Sequence, residues 1–313
     1  MDSRNKTQVS MFGFTGLTDS RELAPYLFIV FLLAYIVTIV GNVGMMVLVW
    51  SSSNLQTPMY YFLSSLSFVD LLYSSSVTPK MLFDFFNVKK SITFLGCALQ
   101  FYFFVALANT EAMILSNMSY DRYVAICHPL HYTLIMTKKR CFSLVLYSSS
   151  VGFLQSTVLT SCVFNLPFCG PTLIKHFYCD IPPLLKLSCS NTLQCDLVTA
   201  VLVVGFGLYL LTTIFLSYAF IISSILKIAC AKGRQKTFST CSSHIICVGT
   251  FCASVFFVYL HPHSDAFEKQ DKVASVFYCI VTPMLNPLIY SLRNEEVKKN
   301  LVQAIRKLYF HFH

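Results

Sequence analysis

Charge is what this sequence has least of. Only 12% of its 313 residues are Asp, Glu, Lys or Arg, whereas 55% are hydrophobic and the mean hydropathy is +0.63. A soluble globular domain carries about 25% charged residues, so the composition excludes an ordinary water-facing surface and assigns the chain to lipid. Catalytic signatures are missing too: there is no Gly-x-Ser-x-Gly elbow, no His-Glu-x-x-His and no phosphate-binding loop, and nothing nominates an enzyme. His176-x-x-Cys179 and Cys241-x-x-His244 have metal-like spacing, yet neither has the second ligand pair that completes a zinc site. The net charge of +9 does not point to nucleic acid, because the basic residues flank apolar runs and no aromatic-basic groove segment occurs. Nor do the first 23 residues show a basic n-region, apolar core and cleavage site, so no cleaved signal peptide is expected.

What is present is a series of long apolar runs. Crossing the hydrocarbon core takes about 20 such residues. Seven stretches qualify, at 24–50, 58–82, 97–121, 141–166, 197–227, 239–260 and 272–291. Backbone groups in lipid must be satisfied internally, and a barrel would show short alternating segments, so helices are expected. The expected fold is an all-α, seven-transmembrane helix bundle. Residues 1–23 form an extracellular tail, 24–291 the membrane domain and 292–313 a cytoplasmic tail with a short interfacial helix, marked by Val297, Leu301, Ile305 and Leu308 at three- and four-residue spacing. A transporter or channel for small solutes is the alternative class, but it usually shows paired broken segments in related halves, and seven spans show none.

Orientation follows from the basic residues. Thirteen of the 23 share the side of Arg122: Arg122, Lys138, Lys139, Arg140, Lys227, Lys232, Arg234, Lys236, Arg293, Lys298, Lys299, Arg306 and Lys307. Only Asp121, Glu295 and Glu296 join them, which makes that side cytoplasmic and the N-terminus extracellular at the plasma membrane. Asn5-Lys6-Thr7 is then a glycosylation sequon in an outward tail, while Asn117-Met118-Ser119 lies inside the third span, out of reach. Of 13 cysteines, nine fall in spans, at their ends or in cytoplasmic loops; Cys97, Cys169, Cys179 and Cys189 remain outside, in an oxidising compartment.

Phrases in fixed order carry a resemblance. Gly41-Asn42 is followed by Pro58-Met59-Tyr60-Tyr61-Phe62-Leu63, then Asp70, then the run from Met118-Ser119-Tyr120-Asp121-Arg122-Tyr123 to Tyr132. His176-Phe177-Tyr178-Cys179-Asp180, Lys236-Thr237-Phe238-Ser239-Thr240-Cys241-Ser242-Ser243-His244 and Pro283-Met284-Leu285-Asn286-Pro287-Leu288-Ile289-Tyr290 complete the series. Together they resemble the odorant receptors, a branch of the rhodopsin-like G-protein-coupled receptors. Departures are Ser119, Gln56, Thr237 and Cys252, where the family usually has Ala, His, Ala and Tyr.

The resemblance implies a receptor for small, volatile, largely apolar odorants that activates a stimulatory olfactory-type G protein and raises cyclic AMP. It implies a pocket in the outer half of the third, fifth, sixth and seventh helices: Phe101, Phe104, Val105, Ala108 and Asn109; Leu202 and Phe206; Phe251, Cys252, Val255 and Tyr259; Val276 and Cys279. For activation it implies Asp121, Arg122, Tyr123, Tyr218, Asn286, Pro287 and Tyr290. Pro283 and Pro287 each remove a backbone donor, which predicts a kinked seventh helix. The implied disulfides are Cys97 with Cys179 and Cys169 with Cys189, with Cys97 to Cys189 as the alternative. No cofactor is expected beyond an ion. Asp70 and Glu111 stand at similar depth inside the bundle, and two carboxylates there repel unless they share a proton or a cation. Oxygen ligands suit a hard cation, sodium first, with Asn42 and Asn286 as helpers.

Overall fold

In a computed structural model, residues 9–18, 20–169, 172–227, 231–260, 268–293 and 295–312 are described. Helix one, Ala24–Ser51, has Pro25 in its first turn, where a missing donor costs nothing, and ends in the polar run Ser51-Ser52-Ser53-Asn54. Helix two, Pro58–Asp84, again starts on proline. Helix three, Phe94–Cys127, is capped by Thr93, whose hydroxyl accepts from the Gly96 N–H at 3.0 Å. It stops at His128 because Pro129 drives the residue before it out of helical geometry. Helix four, Lys138–Phe164, is capped the same way by Thr137, at 3.3 Å to the Arg140 N–H. Helix five runs Leu193–Leu226 with a π-helical turn at Val201–Gly205. Helix six is Ala231–Leu260. Helix seven comprises Glu268–Val276, a π-helical turn at Phe277–Val281 and Thr282–Arg293 with Pro287 inside it. Helix eight is Glu295–Phe312; of its expected apolar face, Val297 is buried, Leu301 is exposed, and the side chains of Ile305 and Leu308 lie outside the described residues.

Helices one, three, four, five and seven are each long and apolar enough to cross a membrane. Helix two is diluted by Asp70, Lys80 and Asp84, and helix six begins in the basic stretch at 232–236, eight residues before the apolar run that marks it in the sequence. Helix three is the hub, packed against helices two, four and five, and helix seven closes the ring between helices six and one. Its contact with helix four depends on Gly152: a Cβ there would lie 2.5 Å from the Ala106 carbonyl and 2.5 Å from the Thr110 hydroxyl.

One end of the bundle carries a small sheet that sequence patterning does not reveal. Strand β1, Met11–Phe14, lies between β2, Ser91–Thr93, and β3, Leu173–Ile174. It pairs antiparallel with β2 (Met11 opposite Thr93) and parallel with β3 (Gly13 opposite Leu173). The segment expected as a plain tail is therefore held in place, because Phe12 and Phe14 alternate with Gly13 and bury their rings; Phe12 packs edge-on against Phe168.

Candidate ligand-binding site

Below the sheet, helices three, five and six enclose a cavity of about 100 Å³, with further walls from helices four and seven. Eight of the thirteen expected lining residues meet there: Phe104, Val105, Ala108, Asn109, Phe206, Phe251, Cys252 and Val255. Phe101 does not line it, being fully buried against Phe164 instead. Leu202, Val276 and Cys279 are packed into the core rather than onto the cavity, and the side chain of Tyr259 lies outside the described residues.

The corrections have a local cause. Helix five presents Val203, Phe206, Gly207 and Leu210, a clean one-face series that begins one residue after Leu202, inside the π-helical turn. Helix seven presents Tyr278, again inside a π-helical turn, in place of Val276 and Cys279. An i to i+5 turn takes in an extra residue and rotates the facing side, which counting at 3.6 residues per turn misses. Ala112, one turn below Ala108, was within reach of that count; Leu159 and Ile181 come from helix four and the loop, where no motif marks them.

The lining is almost wholly apolar. Asn109 offers its amide, which has no hydrogen-bond partner among the described residues; Cys252 offers a thiol; and Tyr278 a phenol already engaged above. That engagement forms the roof. The hydroxyls of Tyr178 and Tyr278 both donate to Asp180 Oδ2, at 2.7 and 3.2 Å, and touch each other. Ser275 lies 3.3 Å from His176 Nε2, and Gln100 Oε1 accepts from the Cys179 N–H at 3.1 Å. Burial, with Lys272 nearby, pushes the His176 imidazole down to about 3, so it is neutral at physiological pH. Disulfides join Cys97 to Cys179 and Cys169 to Cys189, tying the loop to the head of helix three and bracing it on itself.

Beside the cavity floor, where Glu111 adjoins Ala112, Asn286 Nδ2 donates to Asp70 Oδ2 at 2.9 Å and to Glu111 Oε1 at 3.3 Å, so that both carboxyls meet on one amide. Asp70 Oδ1, Glu111 Oε2 and Asn42 Oδ1 are buried without partners. A carboxyl pair so placed needs a shared proton or a cation, and its orphaned oxygens suit a hard ion. Among the described residues no group of three or more His, Cys, Asp or Glu gathers to hold a metal.

At the opposite end, Asp121 accepts from the Tyr132 hydroxyl at 2.9 Å and forms no salt bridge with Arg122, whose Nη2 is buried and unpartnered. His244 Nε2 faces the Leu115 carbonyl at 2.9 Å and must donate to it, so Nδ1 accepts from the Tyr218 hydroxyl at 2.8 Å. This chain fastens helices five and six to helix three. Tyr290 is buried beside the Cys247 thiol, and Tyr123 reaches His128 at 3.1 Å. Pro287 packs against Gly41 of helix one, where an added Cβ would meet its ring at 3.1 Å. Asn5 lies outside the described residues.

Known proteins converge on one family. The sequence profile described as olfactory receptor matches residues 31–307. The chain is 48% identical to olfactory receptor 5AR1 of Mus musculus over 98% of its length and 99% of the relative's. It is 49% identical to olfactory receptor 5B12 of Homo sapiens, over 97% of this chain and 96% of that one, and 46% identical to human olfactory receptor 5A1 over the same shares.

Proposed function

Because this chain belongs to the olfactory receptor family, we propose that the cavity beneath the His176–Asp180 loop binds small, largely apolar odorants through one hydrogen bond to Asn109. It is a multi-pass plasma-membrane receptor and not an enzyme. The sheet end faces outward and the Arg122 end faces the cytoplasm, a reading supported by the disulfides at the first and the basic residues at the second. Asn5 is glycosylated on the outer side. Odorant binding activates a stimulatory olfactory-type G protein and raises cyclic AMP, with Asp121, Arg122, Tyr123, Tyr218, Asn286, Pro287 and Tyr290 rearranging at the inner end. Asp70 and Glu111, helped by Asn286 and Asn42, hold a sodium ion in the resting state.

The observation that carries this reading is an apolar cavity between the helices with a single unengaged amide, the composition expected of a site for small uncharged ligands. A panel of volatile alcohols, ketones, esters and hydrocarbons, applied to cells expressing the receptor with a cyclic AMP readout, tests it. Dose-dependent cyclic AMP is expected; ligand-dependent solute flux without it would favour transport instead.

A further inference from the structure

Two cysteines outside the disulfides lie at the adjoining ends of helices four and five, near the cavity. Cys162 lies in the last turn of helix four and Cys195 in the first turn of helix five; both are free thiols. Helix four packs against this first stretch of helix five, and the two thiols interact there. Cys195 is buried in the core and Cys162 is half-buried. They stand at the end of the bundle that carries both disulfides, and the Cys169–Cys189 bridge closes the very loop that joins their two helices. A compartment that oxidises those four thiols also meets this pair. Leu159, one turn from Cys162, and Val203 and Phe206, further along helix five from Cys195, are walls of the cavity.

We propose that Cys162 and Cys195 form a reversible dithiol–disulfide site, a third bridge that clamps helix four to helix five beside the cavity. The half-buried Cys162 reacts first: its thiolate attacks one sulfur of a glutathione or oxidoreductase disulfide, that S–S bond breaks, and the departing thiolate takes up the proton Cys162 released. Cys195, as thiolate, then attacks the Cys162 sulfur of the mixed disulfide and expels the second donor sulfur, which takes up the Cys195 proton. The pair gives up two electrons and two protons, and the donor disulfide becomes two thiols. Closing the bond fixes the sulfurs at about 2.0 Å and ties the two helix ends to each other. Leu159 moves relative to Val203 and Phe206, and the oxidised and reduced receptors present differently shaped walls.

The test is direct chemical mapping of the full-length receptor in cell membranes. One sample is exposed to oxidised glutathione, one to dithiothreitol and one to neither; each is denatured in excess N-ethylmaleimide, digested without reductant and read by mass spectrometry. A Cys162–Cys195 linked peptide is expected, rising several-fold with oxidised glutathione and disappearing with dithiothreitol. In Cys162→Ser, Cys195 is expected to carry N-ethylmaleimide and no new partner. Full alkylation of both residues in the oxidised wild-type sample, or linkage of either to another cysteine, would overturn the proposal. The wild-type measurement decides by itself, so a poorly folding variant leaves it testable.

Discussion

The two ends of this bundle are held by different means. At the sheet end, three strands, two disulfides and the hydroxyls of Tyr178 and Tyr278 around Asp180 bind loop to helix, and covalent bonds carry part of the load. At the Arg122 end no disulfide crosses between helices among the described residues; a Tyr218–His244–Leu115 hydrogen-bond chain links them, and Arg122 keeps a buried nitrogen without a partner. Leaving a charged donor unsatisfied costs about 1–3 kcal/mol or more, which is a reason for that end to rearrange when a partner supplies an acceptor. One end is a roof tied down over the cavity, and the other keeps an unmet donor.

The contrast breaks most completely if Arg122 proves structural. Arg122→Ala should abolish odorant-stimulated cyclic AMP while surface labelling stays near wild type; loss of both together would make the residue part of the scaffold. Removing the roof should do the reverse. Cys97→Ser opens the bridge to Cys179, and the expected loss of about 2–5 kcal/mol should sharply lower surface labelling and thermal stability of whatever protein remains. Gly152→Ala probes the middle, since its Cβ would meet helix three backbone; a cost of about 1–3 kcal/mol should appear as a lower melting temperature in detergent.

Smaller effects sharpen the comparison inside the bundle. Asn109→Leu should weaken alcohols and ketones by about tenfold, the equivalent of one hydrogen bond at roughly 1.4 kcal/mol, and leave hydrocarbons of similar shape within about twofold. A uniform shift across both classes would mean that Asn109 acts through packing. Raising sodium should lower basal cyclic AMP, and Glu111→Gln should blunt that response, a coupling on the order of 1 kcal/mol. Equal sodium dependence in the wild type and a correctly folded variant would leave the carboxyl pair sharing a proton.

Much of this was legible in the sequence because lipid imposes a simple rule. The apolar runs mark where helices must lie, and Pro58, Pro129 and Thr93 mark where several begin or end. Helix six was shorter in the sequence than in the structure because hydropathy reports the buried part of a helix and not its polar extension. On the cavity, counting up helix three from Arg122 reaches four residues that line it and overshoots at Phe101, whereas on helices five and seven the misses at Leu202, Val276 and Cys279 fall in or beside π-helical turns. No residue type marks such a turn. Ile181 and Leu159 were invisible for another reason: their place at the cavity depends on how a loop and a neighbouring helix fold over it.

The small sheet has a consequence for how the molecule is made. Its central strand, Met11–Phe14, precedes the helices of the bundle, yet Met11 pairs with Thr93, 82 residues later (93 − 11), and Gly13 with Leu173, 160 residues later (173 − 13). This strand must therefore wait with both hydrogen-bonding edges open until two helices have been inserted, and with one edge open until four have been inserted and the loop after them has emerged. Contacts so distant in sequence close late, and an edge left open is a template for wrong pairing. For this chain the vulnerable interval in biogenesis runs from the first helix to the fourth, and a segment as short as Met11-Phe12-Gly13-Phe14 sets its length.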